Sequence, residues 1–78
     1  MADRPELYSV WENSEGARLI VVALDDDEPD FWFVTAIPYE DRFDVSATAM
    51  ELGPEEWAAL GAAEKWKHVG VEPGEYPI

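Results

Sequence analysis

Five carboxylates crowd into the six residues Asp25-Asp26-Asp27-Glu28-Pro29-Asp30. Carboxylates can hold a divalent cation, work as a general acid and base, or pair with cations on a partner. An EF-hand calcium loop starting at Asp25 needs glycine at its sixth position and glutamate at its twelfth. Asp30 and Ala36 stand there, so that motif is absent. A glycosidase needs two carboxyl groups held at a set separation across a cleft. Nothing in this stretch fixes such a spacing, and a chain of 78 residues has little material for a sugar-binding cleft. There is no cysteine and one histidine, His68. Thiolate chemistry is excluded, and a His/Cys metal centre fails for want of ligands. Ser9, Ser14 and Ser46 would all depend on His68 as base, and His68 falls at an expected helix end, as a surface or capping residue. No glycine-rich phosphate loop is present. A non-enzyme is expected, with no catalytic residue, metal or cofactor.

What remains is charge. Eighteen acids against five bases give a net charge of −13. Charge of this sign repels nucleic acid and anionic membranes and attracts basic surfaces. The few Lys and Arg residues cannot neutralise phosphates, so direct nucleic-acid binding is disfavoured. The acids are unevenly spread: residues 12–30 hold seven of them and one arginine. In an extended strand, alternate residues such as Asp25 and Asp27 lie roughly 6.6–6.8 Å apart on one face. That is close to the phosphate repeat of a nucleic-acid strand. Such a ridge could occupy a basic nucleic-acid groove, with fast, salt-sensitive steering. Asp25, Asp26, Asp27, Glu28 and Asp30 would pair with Arg and Lys, and Glu40, Asp41 and Asp44 form a second cluster. Trp32, Tyr39 and Phe43 are the candidate aromatic anchors. The plain alternative is that residues 25–30 form a solvated turn and that the acidity serves only solubility.

The elements that must position these residues can be read from apolar patterning. Residues 1–78 make one domain, and ten aromatics in a chain of this length favour a folded one. The two most hydrophobic runs, residues 19–24 and 31–37, flank the acid stretch. They predict a hairpin of core strands with a charged tip in water, since unpaired carboxylates are costly to bury. A first strand is expected over residues 7–11. A turn follows at residues 12–16, with Gly16 suited to positive φ. A second strand is expected over 17–24 and a third, central one over 31–37. Pro38 ends pairing, and residues 38–42 read as a loop. Residues 43–50 begin with alternation, which predicts a half-exposed fourth strand with Phe43, Val45, Ala47 and Ala49 on one side. Gly53-Pro54-Glu55-Glu56 marks a helix start, with proline in the first turn and acids at the positive end. The helix is expected to run through Lys67, with Ala59, Leu60, Ala63 and Trp66 on one face and Trp57 off it. Lys65, Lys67 and His68 would suit its C-terminal end, and Gly70 would stop it. The fold class expected is α+β: a four-stranded antiparallel β-meander with one C-terminal α-helix packed on one face. The opposite sheet face would be open, an aromatic patch if Trp11, Trp32 or Tyr39 point that way.

In overall character the chain resembles the phage-encoded anti-CRISPR proteins, which are short, cysteine-free and strongly acidic. The local expression of the likeness is Asp25-Asp26-Asp27-Glu28-Pro29-Asp30 and Glu40-Asp41-Arg42-Phe43-Asp44. It implies an inhibitor that acts as a DNA mimic and blocks target-DNA binding by a type I surveillance complex. The implied partner is a basic protein, a nucleic-acid-binding Cas subunit or complex. The family shares no common motif, so no functional residue is carried over from it. Immunity proteins and antitoxins that plug a basic nuclease look similar at this level and stand as the alternative, beside an acidic structural domain. A monomer or weak homodimer is expected. The first residues lack the basic start and apolar core of a signal peptide, and no apolar run nears the ~20 residues of a membrane span. A cytoplasmic chain is therefore expected, in the host cell if phage-encoded.

Overall fold

The computed structural model describes residues 4–28 and 30–77; readings placed on residues 1–3, Pro29 and Ile78 lie outside them. The elements are β1 (Ser9–Glu12), β2 (Arg18–Glu28), β3 (Phe31–Pro38), a 3-10 turn (Tyr39–Asp41), β4 (Met50–Leu52), α1 (Pro54–Glu64) and β5 (Lys67–Val71). All strand pairs are antiparallel, and the sheet order is β4-β3-β2-β1-β5. The α+β class with an antiparallel sheet and one helix is as expected. The four-stranded meander is corrected: there are five strands, and the helix lies between the fourth and the fifth. β5 returns across the molecule to pair with β1. It satisfies the outer N–H and C=O groups of β1, which would otherwise lack partners.

The core hairpin forms because β2 and β3 are rich in Val, Ile and aromatic residues. Leu19 and Val21 join Val34, Ala36, Leu52 and Trp57 on the helix side. Ile20 and Val22 join Val10 and Ile37 on the other. Between Val21 and Ala23 the register slips by one residue: Val21 faces Ala36, and Ala23 faces Thr35. The extra residue is a β-bulge, and it resets the alternation. Leu24 thereby returns to the helix side. Asp25, the next residue, turns away from the helix.

Several sequence expectations change here. Residues 43–49 form no strand. Asp44 turns the chain instead: its backbone N–H donates to the Asp41 carbonyl at 2.9 Å, and its carboxylate accepts the Ser46 N–H at 2.8 Å. Such local side-chain bonds compete with a strand ladder. Only Met50–Leu52 pairs, with Val34–Ala36 of β3.

The helix starts where expected, with the Gly53 N–H donating to the Glu56 carboxylate at 3.4 Å. It stops early, at Glu64. Lys65 takes a left-handed conformation (φ 55°), and its N–H donates to the Gly61 carbonyl at 2.9 Å. Lys67 and His68 therefore belong to a strand, not to the helix end. The buried helix face is centred on Trp57, which is fully buried, and Leu60; Ala59 and Ala63 are exposed. A single indole has more apolar area to bury than an alanine stripe, so it sets the helix rotation. The face away from the helix is also not open over most of its length. Tyr39, Ala47 and Tyr76 close over Val10, Ile20, Val22 and Ile37, while Trp11 and Trp32 pack on the helix side.

Candidate protein-binding surface at the hairpin end

The acid run is not a loose tip. Asp25, Asp26, Asp27 and Glu28 are the last residues of β2, and the ladder continues through them. Asp25 faces Phe33 and Glu28 faces Phe31 across the ladder. A second one-residue bulge lies between these two pairs, so the even carboxylate spacing expected of a regular strand is broken. Val34 and Ala36 lie on the helix side and Ile37 on the other. Alternation along β3 then puts Phe31 and Phe33 on the face away from the helix. Directly opposed residues share a face with Cβ atoms about 4.5–5.5 Å apart. The hairpin end therefore carries two carboxylate–phenyl pairs side by side.

Phe31 and Phe33 are 48% and 36% exposed, and their ring centroids are 6.4 Å apart. Phe31 also rests on Gly53, where a Cβ would stand 3.2 Å from the ring. Two shallow hollows of about 420 and 310 Å³ open beside them, and Asp25, Asp27 and Phe33 line both. All five carboxylates of the run are exposed. Asp26 pairs with Arg4. The Asp25 carboxylate accepts the Asp27 N–H at 3.4 Å. Among the described residues, Asp25, Asp27, Glu28 and Asp30 enter no ion pair. The loop and tail that cover the rest of this sheet face pack around Val10, Ile20, Val22 and Ile37, and leave the phenylalanine end bare.

The other sequence candidates fall elsewhere. Trp32 is half-buried on the helix side and does not reach this surface. Tyr39 is half-buried with its ring under the guanidinium groups of Arg42 (4.0 Å) and Arg18 (5.9 Å). Its hydroxyl donates to Glu72, which raises its pKa above the ordinary 10.0, with burial adding in the same direction. Phe43 is exposed, stacks on Tyr76 at 5.5 Å and lies 4.9 Å from the Arg42 guanidinium. Glu40 and Asp44 are exposed, and Asp41 is half-buried. This second cluster follows the opposite end of β3 from the first. The exposed aromatics beside the acids that sequence reasoning missed are Phe31 and Phe33. Their signal was present: they flank the acid run and alternate against Val34 and Ala36.

A larger hollow, about 630 Å³, lies between Arg18, Leu19, Pro38, Tyr39, Met50 and Trp66. No group of three acidic, His or Cys side chains is placed to hold a metal ion among the described residues, and no described helix is long and apolar enough to cross a membrane. No family model, curated protein or solved structure matches this chain.

Proposed function

We propose that this protein is a non-catalytic inhibitor that binds a basic protein and occludes its nucleic-acid groove. In the favoured case it is an anti-CRISPR protein that blocks target-DNA binding by a type I surveillance complex in the cytoplasm of the host. The observation that carries the reading is the hairpin end, where four carboxylates without ion-pair partners among the described residues adjoin two exposed phenylalanines. Clustered like charge destabilises a fold, and exposed rings beside it supply the apolar contact that charge alone lacks. The net charge of −13 adds long-range steering toward a basic surface.

The test is capture from lysate on the immobilised protein at about 0.15 M and about 0.5 M salt, with mass spectrometry of what is retained. Exposed charge attraction survives at the lower salt, where the Debye length is about 8 Å, and is mostly screened at the higher. The captured partner is then assayed for DNA binding with and without the protein. A stoichiometric Cas complex that is retained at low salt and loses DNA binding supports the reading. The triple reversal Asp25→Lys, Asp27→Lys, Glu28→Lys is expected to abolish capture with the circular dichroism spectrum unchanged. Capture that survives the reversal removes this surface from consideration. A basic nuclease in place of a Cas complex selects the immunity-protein alternative.

A further inference from the structure

The hairpin end has a geometry finer than its charge. From it we infer that the surface takes two arginine side chains of the partner, spaced Arg-x-Arg in an extended segment, one on each carboxylate–phenyl pair. The inference rests on the function proposed above and names the chemistry of that partner.

Three observations carry it. The first is pairing. Asp25 with Phe33, and Glu28 with Phe31, each place a carboxylate and a phenyl ring side by side on one face. A guanidinium is planar: it can lie on a ring while its edge donates two parallel hydrogen bonds to a carboxylate. An ammonium is a compact, strongly hydrated point charge and cannot use both features as well. The second is spacing. The two rings are 6.4 Å apart. Side chains on one side of an extended chain repeat at roughly 6.6–6.8 Å, so alternate residues match and adjacent residues point to opposite sides. The third is the behaviour of the chain's own arginines. Arg42 lies over the Tyr39 and Phe43 rings at 4.0 and 4.9 Å while donating to the Tyr39 carbonyl at 2.8 Å. Arg4 is already seated on Asp26 of the acid run. Asp25 and Glu28 have no such partner among the described residues.

The test uses the full chain and two synthetic peptides, glycine-arginine-serine-arginine-glycine and the same sequence with lysine for arginine. Binding is read by backbone amide shifts in NMR titrations at about 0.15 M salt. The arginine peptide is expected to move Asp25, Glu28, Phe31 and Phe33 and to bind about fivefold tighter than the lysine peptide. Phe33→Leu is expected to bring that ratio down to about twofold with the thermal melt unchanged, since the other pair remains, and Phe31→Leu repeats the measurement at the second pair. Lysine binding within about twofold of arginine overturns the inference. So does a ratio that neither leucine variant alters, or the absence of shifts with either peptide. The lysate capture is read by salt and by charge reversal and does not depend on a preference for arginine over lysine, so the two readings fail separately.

Discussion

Neutralising the end of β2 should make this protein more stable and less able to bind. The variant Asp25→Asn, Asp27→Asn, Glu28→Gln keeps side-chain shape, and the amide oxygen introduced by Asp25→Asn can still accept the backbone N–H of position 27. Two carboxylates about 6.7 Å apart repel by about 0.6 kcal/mol in water, and by about 0.3 kcal/mol with an 8 Å Debye length. The four carboxylates closing β2 form several pairs at separations of this order, made uneven by the second bulge. Part of the repulsion persists in the unfolded chain, so the net gain is roughly 0.5–1 kcal/mol. For a domain of this size that corresponds to a rise in Tm of roughly 2–8 °C. The gain should shrink by about half at about 0.5 M salt, where the Debye length falls to about 4–5 Å. Thermal melts followed by circular dichroism, for wild type and variant at both salts, measure this directly. A variant that melts several degrees below wild type at both salts would refute the reasoning, because the carboxylates would then hold the hairpin together. A gain insensitive to salt would refute its electrostatic basis.

Three further outcomes follow from the packing. Trp57 is fully buried against Leu19, Val21 and Val34; Trp57→Ala should cost about 3–5 kcal/mol and remove the cooperative melt, since small domains have little stability to spare. Tyr39 and Tyr76 both hold their phenolic protons above 10.0, Tyr39 chiefly through its bond to Glu72 and Tyr76 chiefly through burial. The unfolded chain releases these protons first, so their contribution is whole below pH 10.0 and is lost as pH climbs through the folded values. Ultraviolet titration should show a late-ionising component that Tyr39→Phe reduces; identical midpoints in the native and denatured protein would rule it out. Gly53→Ala has an ordinary backbone conformation (φ −84°) but sets a methyl group 3.2 Å from the Phe31 ring. It should leave the fold in place and weaken the arginine peptide several-fold, and an unchanged affinity would show that Phe31 does not need its present seat.

The parts of the fold legible in the sequence are those fixed by local chemistry. Gly16 does take positive φ, and Pro54 with Glu55 and Glu56 does open the helix. The core hairpin could be read because Leu19–Val22 and Val34–Ile37 have no other place to go. The rest depended on partners distant in sequence. Residues 43–49 alternate like a strand, but Asp44 meets its bonding needs within the turn. Residues 67–71 read as helix end and tail because their claim to be a strand is the bare edge of β1, some 55 residues earlier. At the candidate surface the acids were legible, and the alternation of β3 marked Phe31 and Phe33, but not which acids face them. Trp32 and Tyr39 were favoured for their residue types, but which side chain faces the acids is decided by register. Both bulges that set this register are invisible in composition.

The bulge at Val22 separates two demands on one strand. The apolar half of β2 must obey the parity of the core, and the acidic half must keep the opposite parity to face solvent beside Phe33. One extra residue lets each half keep its own phase. The bulge and the extra residue therefore stand or fall together. Single replacements along residues 25–28 change one charge and leave the others in position. A regular strand that kept Val22 but lost the bulge would put Asp25 on the helix side where Leu24 now packs, whereas loss of Val22 together with the bulge leaves Asp25 opposite Phe33. A lineage carrying this fold could vary its acidic residues freely, and could lose Val22 and the bulge together, but not one without the other.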